Sequence, residues 1–132
     1  MPTETPRQFF DAILKPAVAE WRRDELSRRK AIHALAQADA MAERMFRYLQ
    51  QHDPDRLAGI ASSTAYRQEL RVRHLTLGLA WDAHERGAVD VGPYEGGEQM
   101  TLVDANGTRH PLELVLDQVL TAWEMELSNA GF

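Results

Sequence analysis

Residues 112–127, LELVLDQVLTAWEMEL, restrict the fold of this chain more than any other stretch. Leu112, Val115, Leu116, Val119, Leu120, Trp123 and Leu127 recur at the i, i+3, i+4, i+7, i+8 spacing of one helix face, while Glu113, Asp117, Glu124 and Glu126 lie mostly elsewhere. Burying those apolar side chains stabilises by about 10–20 kcal/mol before conformational entropy is set against it. A helix with such a stripe needs other elements to cover it, and the rest of the chain supplies them.

The clearest partner runs from a capping Ser27. Ala31, Leu35, Ala38, Met41, Ala42, Met45 and Leu49 keep three- and four-residue spacing, and Phe46 widens their face. The alanines suit close helix contact and high helix propensity. HDPD at 52–55 stops the run, because Pro54 disfavours helix in the residue before it. Upstream, Thr5 to about Arg23 is helical in pattern, with Thr5 as N-cap and Pro6 at the first helical position. Pro16 removes a backbone donor inside that run, which predicts a kink or two short helices. A third helix is expected from about Leu57 through Leu70, with a break around ASS at 61–63, and a fourth from near His74 to a C-cap at Gly87.

VGPYEGGE at 91–98 reads as a loop on composition. After it, Asn106-Gly107 between two short runs matches a two-residue type I′ turn, predicting strands near 100–104 and 108–111. Two strands alone are marginal, so this hairpin must pack on helices. The expected fold is mostly α: one helical domain over 1–132, a bundle of four to six helices with one small β-hairpin near 100–111.

A chain of 132 residues, 44% hydrophobic and 27% charged, is large enough for a core without staples. It has no cysteine, so disulfides, thiolate catalysis and cysteine-held metals are excluded. MPTETPRQFF lacks a basic region followed by an apolar run, and no apolar run nears the ~18 residues of a membrane span. A cytoplasmic protein without membrane contact is the expectation. The net charge of −5 argues against general nucleic-acid binding, which phosphate contacts dominate. The clusters Arg22, Arg23, Arg28, Arg29, Lys30 and Arg67, Arg71, Arg73 read as solvated helix faces and ends.

Neither spacing of a glycine-rich phosphate loop occurs, and EGGE lacks the lysine; there is no serine nucleophile elbow. His33, Asp39, Glu43, His52, His74 and His84 are the metal-ligand types available, but none pairs His with Asp or Glu at four-residue spacing on an apolar helix. No metal and no cofactor are therefore expected. Arg67 and His74, separated by six residues, have the makings of RNA cleavage: a histidine moves protons near neutral pH, and an arginine stabilises charge on a phosphorane-like centre. LGLAWDAHERGAVDVG at 77–92 crowds Asp82, His84 and Arg86 together. One helix spreads those three over different sides, so the simpler expectation is an Asp82–Arg86 surface ion pair beside a core Trp81.

The order of FFDAILKPAVAEW, RKAIHALAQADAMAERMF, AYRQEL, LAWDAHERGAV, a hairpin carrying DANGT and a final VLDQVLTAW helix resembles bacterial helical proteins of the HEPN class. The resemblance covers most of the chain as a pattern. Its most specific motif, Arg-Asp-x-Ala-Asn/Asp-Ala-x-Lys-His, is degraded here. Asp82-Ala83 match, but Glu85-Arg86 stand where Lys-His is expected, and Gly78-Leu79 where Arg-Asp is. The resemblance implies a dimer in which arginine and histidine meet at a shared groove, in some members to cleave RNA and in others only to bind.

Three functions follow as expectations. The first is a catalytically silent HEPN-like interaction module, most simply a homo-oligomer, otherwise a binder of another protein; Met41, Met45 and Met125 on or near packing faces suit adaptable contacts. The second is a metal-independent ribonuclease of a toxin–antitoxin or antiphage system, with RNA as partner, using Arg67 and His74 or His84 and Arg86. The third is a bundle that holds a small ligand under the 91–98 loop.

Overall fold

The computed structural model describes residues 4–132, so the first three positions of the expected domain lie outside the described residues. The protein is mostly α-helical with a small antiparallel sheet.

Helix α1 comprises Pro6–Phe9, Phe10–Leu14 and Lys15–Arg22 without a break. Thr5 opens it with a capping box: its hydroxyl accepts from the Gln8 backbone N–H at 3.1 Å, and the Gln8 side chain accepts from the Thr5 N–H at 2.8 Å. Pro16 does not split the helix. The turn over Phe10–Leu14 widens to π geometry, and the Lys15 N–H reaches back to the Phe10 carbonyl. That extra residue takes up the missing proline donor and the crowding of its ring, so the expected interruption becomes a bulge.

Helix α2, Arg28–His52, is capped by Ser27, whose Oγ accepts from the Lys30 N–H at 3.2 Å. Pro54–Leu57 form a 3₁₀ turn that ends in left-handed Ala58 and Gly59. The third helix therefore starts later than expected: α3 is Ser63–Arg73, capped by Ser62, and Leu57 belongs to the turn before it. His74 adopts extended backbone, and α4, Leu75–Arg86, follows at once. Gly87, at φ 65°, closes α4 as expected, with the Ala88 N–H bonded back to the Ala83 carbonyl. Helix α5 is Leu112–Asn129.

The sheet has three strands, not two: β1 Val89–Tyr94, β2 Gly97–Val103 and β3 Arg109–Pro111, in the order β1-β2-β3. The segment expected as a loop is the tip of the β1–β2 hairpin. Its two-residue turn is Glu95-Gly96, both at positive φ, and the register runs from Tyr94 opposite Gly97 to Val89 opposite Leu102. A primed turn is thus present, at Glu95-Gly96 rather than at Asn106-Gly107. At the second connection only Gly107 is left-handed, and the loop is longer. The Asp104 carboxylate organises it, accepting from the Asn106 and Thr108 N–H groups and from His110 Nε2 at 2.9 Å. The His110 bond, then the backbone ones, hold the Asp104 carboxyl below its usual range.

The core lies where α2 and α5 meet the other helices. Trp21, Leu35, Met41, Met45, Leu70, Leu77, Leu102, Leu112, Leu116 and Trp123 are fully buried. Met41 and Met45 are therefore packing residues, and only Met125 of the three methionines faces solvent. Leu120, expected in the core, is only partly covered.

Candidate functional site

Helices α2, α3 and α4 converge beside Trp81, and this is where the sequence candidates can be compared. Arg67 (α3) donates to the Asp39 (α2) carboxylate and, at 3.1 Å, to the Asp39 carbonyl. His84 (α4) brings Nδ1 to 3.4 Å from the other oxygen of the same carboxylate. Arg67 also lies 5.1 Å from the centre of the Trp81 ring, and Arg71, one turn further along α3, lies 5.5 Å from it. Asp39, Arg67 and His84 are all half-buried. The structure thus joins Arg67 to His84 through Asp39. Neither of the pairs suggested by spacing, Arg67 with His74 or His84 with Arg86, comes together.

Asp82 does not pair with Arg86. Arg71 grips it through both terminal guanidinium nitrogens, at 3.0 and 3.1 Å. Gly78 makes this reach practicable, since a Cβ there would sit 3.1 Å from Arg71 Cγ. Arg86 instead donates to the Val103 carbonyl at 2.8 Å, tying the end of α4 to β2. The Asp82 and Arg86 side chains line a shallow groove of about 350 Å³ with Leu79, Glu85, Asp104 and Asn106.

His74 belongs to a second cluster. Its Nε2 is 2.7 Å from the Glu126 carboxylate on α5, which Arg73 also grips at 2.9 and 3.1 Å. A carboxylate only accepts, so the proton on this histidine sits on Nε2. Burial works against the Glu126 charge, but the Arg73 and His74 hydrogen bonds outweigh it and hold the carboxyl below its usual range. Burial, with Glu126 close by, pushes the neighbouring Tyr66 phenol above its ordinary range.

Asp39 and Glu126 are the residues that sequence reasoning missed as organisers. Asp39 enters the sequence reading only as a metal-ligand type and Glu126 only as a polar position of a helix, and no spacing signal ties either to its partners. Among the described residues no three His, Asp or Glu side chains gather as metal ligands, and no helix is long and apolar enough to cross a membrane. Compared with family models, with curated proteins and with solved structures, the chain matches none.

Proposed function

We propose that this chain is a non-catalytic helical interaction module of the HEPN-like type that associates with itself. One observation carries the reading: each of Arg67, His74, Asp82, His84 and Arg86 is held by a carboxylate, a cation or a carbonyl of its own chain. Groups held in this way lock α2, α3, α4, α5 and β2 together. Such engagement supports a structural role for these side chains over the free, convergent groups that catalysis uses.

The Arg67–Asp39–His84 convergence favours a second reading, a ribonuclease in which Asp39 orients His84 and leaves Nε2 free for proton transfer. Two measurements decide between them. Sedimentation equilibrium at tens of micromolar is expected to show a dimer, and purified protein is expected to leave tRNA and total RNA intact, with or without divalent metal. A monomer at that concentration refutes the self-association. Cleavage by wild type that disappears in His84→Ala replaces the module reading with the nuclease.

A further inference from the structure

Asn106 is the one asparagine of the chain that is followed by glycine; the other, Asn129, precedes Ala130. An asparagine in that position loses its side-chain amide readily. The nitrogen of Gly107 gives its proton to solvent hydroxide and attacks Asn106 Cγ. The bond from nitrogen to Cγ forms, the bond from Cγ to Nδ2 breaks, and ammonia leaves with a proton taken from water. Water then opens the resulting cyclic imide at either carbonyl, giving aspartate or isoaspartate. One water is consumed and one ammonia released, with no oxidation or reduction.

Nothing steric stands in the way of this ring closure. Asn106 and Gly107 are both exposed, and a Cβ on Gly107 would meet nothing within 4 Å. The hydrogen bonds of the turn use the Asn106 backbone rather than its carboxamide.

The backbone supplies the opposition. The nucleophile's own N–H is engaged, since Gly107 donates to the Asp104 carbonyl at 3.0 Å. The N–H groups on either side, of Asn106 and Thr108, donate to Asp104 Oδ1 at 2.9 and 3.0 Å. The Asp104 N–H closes the loop on the Thr108 carbonyl at 3.0 Å. His110 Nε2, 2.9 Å from Oδ2, holds the carboxylate in place. The Gly107 nitrogen cannot swing toward Cγ without breaking these bonds. An amide anion forming beside the Asp104 carboxylate is also disfavoured by like charge.

We propose that Asn106 is a site of deamidation that Asp104 keeps closed while the 104–108 turn is intact. Conversion changes the place it happens in. Isoaspartate adds a methylene to the backbone inside a turn whose N–H groups are fixed on both sides. Either product adds a carboxylate to the groove lined by Asp82, Glu85 and Asp104, where Arg86 is the cation.

The test incubates folded wild type, wild type unfolded in urea, Asp104→Ser and Asp104→Ala in mildly alkaline buffer. The tryptic peptide ending at Arg109 is then separated into its asparagine, aspartate and isoaspartate forms. Folded wild type is expected to convert about tenfold or more slowly than the unfolded chain, because the reaction waits for the turn to open. Asp104→Ala is expected to recover most of the unfolded rate while keeping a cooperative melting transition. Asp104→Ser, which retains a weaker acceptor at the same place, is expected to fall between wild type and the alanine variant, and it carries the comparison if the alanine variant does not fold. Hydrogen exchange at the Gly107 amide is expected to rise in the same order. Folded wild type that converts as fast as the unfolded chain overturns the proposal. So does a folded Asp104 variant that converts no faster than wild type; slower conversion would make the carboxylate a base that draws the Gly107 proton, the opposite role.

Discussion

Replacing Glu126 with glutamine tests whether the α3–α5 cluster is the structural clamp its geometry describes. The side chain keeps its shape but loses its charge, and one oxygen becomes an NH₂ facing the donors of Arg73 and His74. Glu126 is 8% exposed and receives Arg73 at 2.9 and 3.1 Å and His74 at 2.7 Å. Breaking a buried pair of this kind costs about 3–5 kcal/mol when both partners are dry. Here the Arg73 side chain is 46% exposed, so water reclaims its guanidinium and its share shrinks. The His74 share stays, because that side chain is 13% exposed. A loss of about 2–3 kcal/mol at pH 7 follows, or roughly 6–12 °C in Tm for a domain of this size.

The pH dependence has a definite sign. The Glu126 carboxyl is held below its ordinary value of 4.5, so its contribution is fully present above that pH and is lost as pH falls through the folded value. Urea unfolding of wild type and Glu126→Gln at pH 7 and pH 3 measures both quantities. A loss under about 1 kcal/mol at pH 7, or a gap that widens on acidification, refutes the reasoning.

Tyr66 works in the alkaline direction. Its folded phenol stands above the ordinary 10.0, so stability is complete below that pH and declines as pH rises past it; Tyr66→Phe is expected to flatten that decline in alkaline urea titrations. Asp82→Asn is expected to cost under about 1 kcal/mol despite its two-pronged Arg71 contact, because the carboxylate side chain is 51% exposed. Leu116→Ala, at a side chain with no exposure and packed on all sides, is expected to cost about 2–5 kcal/mol by the same assay. Gly92→Val is expected to displace Arg109, whose guanidinium crosses the position a Cβ would take on its way to Thr101 Oγ1; loss of that 2.8 Å bond should appear as an altered Thr101 environment by NMR.

Elements whose cause is local were legible in the sequence. The stripe of α5, the alanine-rich face of α2, the Thr5 and Ser27 caps and the Gly87 stop all rest on neighbours within one or two turns, and the structure places each as expected. The first β-hairpin was hidden because β1 carries Gly92 and Pro93, residues that composition assigns to loops. Gly92 is there for Arg109 to cross, and Pro93 for the strand's outer edge, where no N–H is needed. The 104–108 turn misled for a related reason. Asn-Gly states a preference for a primed turn, but the Asp104 carboxylate binds the Asn106 and Thr108 N–H groups and imposes a longer one.

The candidate site escaped for a deeper reason. On an unbroken helix, Arg67 and His74 are about two turns apart and would share a face, which is the placement a catalytic pair on one helix requires. The helix ends at Arg73, and His74 adopts extended backbone that turns its ring toward α5 and Glu126. Arg67 and Arg71, both before the break, keep the common face and lie over Trp81. The single non-helical residue at the α3–α4 corner thus separates the arginine from the histidine that spacing would pair with it. It gives the histidine to a structural clamp and leaves Arg67 to meet His84 through a carboxylate supplied by another helix. The chemistry open to these side chains is set by where α3 stops, and the six residues between Arg67 and His74 do not show that stop, because His74's partner Glu126 lies on α5.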